Sequence, residues 1–223
     1  MTYWFYYATK WLLWIIFHAG FGLSVRGQEH VPKQGPFILA SNHVSFLDPP
    51  VLGAACPRRL SFMAREDLFG VGLLAAFMRG VHVISLKRGE SDIAAIREAV
   101  SRLHRGDVVA IFPEGTRQLS GKLSAANRGV GLLAMTARVP IVPVLLRGTF
   151  EAMPPTTNRF HRAKIRVAFG PAIPYTTETS PATDLSTRQI PGQVEGVSPK
   201  RHSQERLAAL VTERWRQLES TSA

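Results

Sequence analysis

Phe37-Ile38-Leu39-Ala40-Ser41-Asn42-His43-Val44-Ser45-Phe46-Leu47-Asp48-Pro49-Pro50 is the stretch on which the fold turns. Four apolar residues after Gly35 and Pro36 are too few for a helix. They read as a short strand buried on both faces, which delivers Ser41, Asn42 and His43 to a loop. Asp48 before two prolines reads as a helix start with Asp as N-cap, because proline is tolerated in a first helical turn. Strand, polar loop and helix in that order indicate a layered α/β arrangement.

The same layout returns further on. Ser91 is placed to cap a helix carrying Ile93, Ile96, Val100 and Leu103 on one stripe, and Gly106 ends it. Residues 108–112 form a second apolar strand that runs into Pro113, Glu114, Gly115, Thr116 and Arg117. Residues 129–137 read as helix, residues 141–146 as a third strand interrupted by Pro143, and Ile165, Val167 and Phe169 alternate like a fourth. Residues 68–78, apolar apart from two glycines, read as a further helix on the membrane or acyl-chain side.

The flanks differ in kind. Residues 1–26 form a membrane-associated segment. Residues 1–23 are crowded with aromatic and aliphatic side chains, and Lys10 is their only formally charged residue. As a helix they reach about 34 Å at ~1.5 Å per residue, which permits spanning a hydrocarbon core of ~30 Å. The aromatic crowding, with Lys10 and His18, equally suits a segment lying in the headgroup region, so both readings stand. A cleaved signal peptide is disfavoured, since the only basic residue lies midway instead of ahead of the apolar run. Residues 27–174 make the globular domain. Residues 175–199, rich in Thr, Ser, Pro and Gly, read as a linker. Residues 200–223 carry Leu207, Leu210, Val211, Trp215 and Leu218 at helical spacing and are expected to pack on the domain.

Composition narrows the classes. Of 223 residues, 45% are hydrophobic and 19% charged, which excludes extensive disorder. Lys and Arg number 27 against 16 Asp and Glu, for a net charge of +11, and all but Lys10 of that excess lies outside the apolar segment. Such a body suits anionic headgroups, nucleic acid or acidic substrates. One cysteine, Cys56, excludes an internal disulfide and favours a reducing, cytosol-facing location. Neither Cys56 nor His82, His104 and His161 has the spacing of a metal site, and no phosphate loop or dinucleotide fingerprint occurs, so no metal and no bound cofactor is expected.

His43 and Asp48 form an H-x4-D pair. With seven His and five Asp, chance alone supplies roughly 0.16 such pairs, so the pair by itself is weak. On one helix the two side chains would stand ~140° apart, so contact requires a loop or a turn into a helix, and the Asp-Pro-Pro boundary provides one. A carboxylate on one imidazole nitrogen fixes the tautomer and leaves the other nitrogen to take a proton from a hydroxyl. The plainer alternative is a capping Asp beside an ordinary loop His.

Asn42-His43 with Asp48, followed in order by Phe112-Pro113-Glu114-Gly115-Thr116-Arg117, resembles the glycerophospholipid acyltransferases, most closely the bacterial 1-acylglycerol-3-phosphate acyltransferases. Their hallmarks are N-H-x4-D and F-P-E-G-T-R. Two weaker blocks, Ile84-Ser85-Leu86-Lys87-Arg88 and Val139-Pro140-Ile141-Val142-Pro143-Val144, fall in order, and the resemblance covers residues 27–170. It implies a mixed central sheet flanked by helices, with an N-terminal membrane-inserting helix. It makes His43 the base and Asp48 its orienting partner, and places Arg88, Glu114, Gly115 and Arg117 at the acceptor site. The Pro140–Pro143 block would serve shape and acyl binding.

The implied partners are a bilayer, a lysophospholipid acceptor and an acyl donor, acyl-CoA or acyl carrier protein, with no nucleic acid. The implied location is the membrane, of bacterial inner-membrane type, with the catalytic domain facing the cytoplasm. Departures fall at Gln118, where the family often has Ser, and at Ala126-Asn127, where it has a Phe-Lys pair. Arg65 or Arg128 is expected to stand in for the missing lysine. Competing readings are another acceptor, such as glycerol 3-phosphate or a lyso-aminolipid, and a non-catalytic basic module that binds membrane or nucleic acid.

Overall fold

The computed structural model describes residues 3–65, 84–86, 92–157, 159–175 and 199–221. The expected helix at 68–78, the cap at Ser91, and Lys87, Arg88 and residues 176–198 lie outside them.

A sheet of seven strands organises the described residues: β1 (Ser24–Arg26), β2 (Phe37–Ser41), β3 (Leu60–Arg65), β4 (Ile84–Leu86), β5 (Val108–Ile111), β6 (Ile141–Arg147) and β7 (Arg166–Phe169), in the order β1-β7-β6-β2-β5-β3-β4. β2 runs parallel to both neighbours, pairing Leu39 with Ala110 of β5 and with Val142 of β6. β3 and β4 continue the parallel block, whereas β7 is antiparallel to β6, so the sheet is mixed. All five residues of β2 are buried, as a central parallel strand requires. β1, β3 and β4 escape a reading by apolar runs because they are short or, like Leu60-Ser61-Phe62, alternate with polar residues.

The helices are α1 (Tyr3–Phe21), α2 (Asp48–Ala55), α3 (Asp92–His104), α4 (Gly129–Ala137), α5 (Thr149–Ala152) and α6 (Pro199–Ser220). α1 and α2 pack on one face of the sheet, against Phe37 and Leu39 of β2, Val108 and Ala110 of β5, and Val142 and Val144 of β6. α3, α4 and α6 cover the other face, against Ile38, Ala40, Val109, Ile141 and Leu145.

The topology places a crevice. β2 connects through α2 to β3, passing over β5, while β5 connects through α4 to β6, passing over β2. Crossovers of one hand that run in opposite directions put their helices on opposite faces, and the loops leaving β2 and β5 part at the carboxyl edge.

α1 has two faces. Tyr6 and Phe17 are buried, Leu13 and Phe21 pack on the core, and Lys10 donates to the Cys56 carbonyl, an inward series at i, i+4, i+7, i+11 and i+15. Tyr6 Oη also accepts from the Leu60 backbone N–H at 3.0 Å. The opposite side exposes Trp4, Tyr7, Trp11, Leu12, Trp14, Ile15 and Ile16, with Trp4 at 76% and Trp11 at 67%. No helix among the described residues is long and apolar enough to cross a membrane. One side of α1 is thus docked onto α2 and the sheet.

Candidate active site

Strand β2 ends in Asn42, whose buried amide acts as an extra rung of the sheet: Nδ2 donates to Leu146 O at 3.0 Å and Oδ1 accepts from Leu146 N at 2.7 Å. His43 is thereby delivered at the carboxyl edge between β5 and β6. Its Nδ1 lies 2.8 Å from Asp48 Oδ2, which also accepts the backbone N–H groups of Val44 and Ser45, each at 2.7 Å. Asp48 is fully buried.

The expected N-cap role of Asp48 needs correction. The cap position falls on Leu47 and no side chain caps the helix. Asp48 is itself the first helical residue, and Pro49 and Pro50, which follow it, carry no N–H that a carboxylate could accept. Deprived of those donors, the carboxylate turns back onto the loop it follows and grips His43. The contact with a carboxylate oxygen places the N–H on Nδ1 and leaves Nε2 as the nitrogen that can accept a proton. The ring is stacked on Phe112, the residue that follows β5, at 4.2 Å between centroids.

The second loop adds the polar partners. The His43 backbone N–H donates to Glu114 Oε1 at 3.2 Å, and Gln118 N donates back to His43 O at 2.9 Å, so the two loops are tied together. Burial pushes the Glu114 carboxyl up to about 7, against the opposing pull of the His43 N–H and the Gln118 side chain and with a small upward push from Asp48. Gly115 has φ +81°, and a Cβ there would stand 3.1 Å from Asn127 Nδ2, which gives the glycine both a conformational and a spatial reason. The Arg117 guanidinium lies over the Phe46 ring at 3.5 Å, and burial lowers its pKa. Phe46 was not singled out from the sequence. The only signal available was an aromatic within the x4 spacer of the first loop.

Among the described residues, the buried side-chain atoms without a hydrogen-bond partner are Asp48 Oδ1, Glu114 Oε2, Arg117 Nη1 and Thr149 Oγ1. All four belong to residues that follow β2, β5 or β6, on one edge of the sheet. Buried polar atoms are ordinarily paired, so unpaired ones on both loops leave groups that can bond a polar ligand. No group of three or more metal-ligating side chains occurs among the described residues.

The remaining candidates scatter. Arg65 ends β3, in register with Leu86 of β4. Arg128 is exposed and lines a cleft with Ala125, Ala126, Glu205, Ala208 and Arg216 along α6. Arg88 lies outside the described residues.

A histidine bound through Nδ1 to a buried carboxylate, with its backbone N–H on a buried glutamate, is an arrangement that can take a proton from a hydroxyl. The Acyltransferase family model matches residues 22–147, more than half the chain and inclusive of both loops. The chain belongs to the acyltransferase family. It is 34% identical over 166 residues to the 1-acyl-sn-glycerol-3-phosphate acyltransferases alpha of Bos taurus and Homo sapiens, covering 73% of this chain and 58% and 59% of theirs. It thus spans under two thirds of the length of those mammalian relatives. The Bacillus subtilis 1-acyl-sn-glycerol-3-phosphate acyltransferase is 26% identical over 67% of this chain and 72% of its own. The crystal structure of the 1-acyl-sn-glycerophosphate acyltransferase of Thermotoga maritima shares the fold, with a TM-score of 0.71 at 22% identity over 93% of this chain and 78% of that one.

Proposed function

We propose that this protein transfers a fatty acyl group from an acyl thioester to the free hydroxyl of 1-acyl-sn-glycerol 3-phosphate, giving phosphatidic acid. The observation that carries the reading is the 2.8 Å His43–Asp48 pair, joined through the His43 backbone N–H to Glu114 of the second loop. The acceptor hydroxyl oxygen attacks the thioester carbonyl carbon while its proton passes to His43 Nε2. Asp48 stabilises the imidazolium, the C–S bond breaks, and the thiolate leaves with the proton from His43. Arg117 would take the phosphate through its planar fork, with Arg88 and Arg65 as further acceptor-side cations. The relatives' names support this acceptor.

The exposed aromatic side of α1 supports seating on a bilayer, with amphipathic rings at headgroup level. Near the end of α1, Phe160 is 65% exposed and 6.4 Å from the Phe21 ring, in a segment that also exposes Arg159, Arg162 and Lys164. Apolar side chains beside cations suit an anionic membrane surface, with the site on the cytosolic side.

Acyl-CoA and acyl carrier protein are both compatible donors. Purified protein in detergent should release thiol from one of them in the presence of 1-acylglycerol 3-phosphate, and His43→Ala should abolish the release. Faster turnover with glycerol 3-phosphate or a lyso-aminolipid in the same panel would favour the second reading, that of another acceptor. The observation behind that reading is Gln118, whose side chain acts on Glu114. Salt-sensitive vesicle binding with no thiol release from any pair would leave only a basic binding module.

A further inference from the structure

We propose that the C-terminal helix α6, which lies beyond the segment matched by the acyltransferase family, is a positioning element of the active site, acting through Trp215 and Thr212. Trp215 is fully buried, and its Nε1–H donates to Ala40 O at 3.2 Å, three residues before His43. One turn earlier on the same face, Thr212 Oγ1 accepts the backbone N–H of Ala126 at 2.9 Å while donating to Ala208 O at 3.0 Å. The next residue, Asn127, donates its own N–H to Pro113 O at 2.7 Å and sets its side chain against Gly115. One helix therefore holds the strand that presents the base and closes the loop that presents Glu114 and Arg117.

The helix is itself held at both ends of its contact. Near its start, a Cβ on Gly131 of α4 would fall 2.3 Å from the Gln204 carbonyl oxygen, so the two backbones cross at a distance only glycine allows. At its end, Arg26 Nη1 and Nη2 donate to Thr221 O at 2.9 Å and Leu218 O at 3.1 Å, satisfying terminal carbonyls. A segment fixed at two points transmits its own placement to what it touches. Both hydrogen bonds to α6 use backbone atoms, the Ala126 N–H and the Ala40 carbonyl.

The inference rests on the proposed acyl transfer for its kinetic arm alone. Thr212→Val keeps the shape but leaves Ala126 N–H unpaired, and Thr212→Ser keeps the acceptor. In full-length protein, Thr212→Val should raise the acceptor KM about tenfold, the scale of one buried donor left without a partner, and Thr212→Ser should restore it. Trp215→Phe, which keeps a six-membered aromatic ring and removes the N–H together with the five-membered ring, should lower kcat about fivefold with the acceptor KM unchanged. Amide hydrogen exchange, which needs no activity, should quicken at residues 113–128 in Thr212→Val and at residues 40–46 in Trp215→Phe, with β6 and β7 unaffected. Unchanged exchange, or acceleration spread evenly through the molecule, would mean that α6 only adds bulk to the core and would overturn the proposal. An unchanged acceptor KM in folded Thr212→Val would do the same. If the wild-type protein acylates no lysophospholipid, the functional reading fails and the exchange pattern still decides this one.

Discussion

The loop from β2 to α2 and the loop from β5 to α4 leave adjacent strands at the same edge of the sheet, yet they are built in opposite ways. The first spans a few residues and is closed mainly by its own groups, with Asp48 Oδ1 alone left unpaired: Asp48 Oδ2 takes His43, Val44 and Ser45, and the Ser45 hydroxyl accepts from Leu47 N and donates to Met153 O. The second is long and held from a distance, by His43 O, by Pro113 O and by Thr212 of α6, and it keeps Glu114 Oε2 and Arg117 Nη1 unpaired. A short loop closed by its own carboxylate is preorganised, which suits a base that must hold one tautomer. A loop with unused buried donors and acceptors is suited to exchange them with a ligand.

Substitutions at four positions break or sharpen this contrast. The largest effect should come from the self-contained loop: His43→Ala should lower kcat by ~10² to 10⁴ with acceptor binding retained, measured by thiol release. Equal loss of kcat and acceptor affinity would erase the division of labour between the loops. On the second loop, Arg117→Lys keeps charge but loses the fork, and the acceptor KM should rise roughly tenfold with kcat little changed. Phe46 joins the two loops by lying under Arg117. Phe46→Leu should raise the same KM about fivefold, the size of a partly exposed cation–π contact, and Phe46→Tyr should restore it.

The smallest effect is on stability. Glu114 is lifted from 4.5 to about 7 in the folded chain, so the native state binds a proton that the unfolded state has released between those values. Its contribution is therefore full below about pH 4.5 and is lost as pH rises through about 7. Glu114→Gln should flatten that part of the curve of melting temperature against pH. A wild-type curve that rises with pH across the same window, relative to the variant, would contradict the burial of the carboxyl.

The two loops also differ in how far the sequence discloses them. The first loop is legible from local order, because its chemistry is confined to residues 42–48. Even there the role of Asp48 is visible only as a choice between cap and partner, and the absence of N–H on Pro49 and Pro50 settles it in the fold. In the second loop the residue types are legible as a block, but their positions are not. Arg128 carries the right charge and lies on the α6 cleft, while Phe46, which carries none, lies against Arg117. Side-chain type indicates what a residue can bind, and only the path of the backbone decides what it is beside.

By itself the sequence determined the buried central strand, the alternation of strands and helices and the acyltransferase resemblance, because each depends on apolar period or on neighbours a few residues apart, while the His43–Asp48 pairing stayed one of two readings until the fold decided it. Tertiary structure alone decided that β7 turns antiparallel, that α1 seats one side on α2 and leaves its aromatic side exposed, and that Trp215 and Thr212 reach strand and loop more than 80 residues away in the chain. Those contacts depend on how layers close over the sheet, and no local pattern of residues encodes the distance between two surfaces brought together by burial.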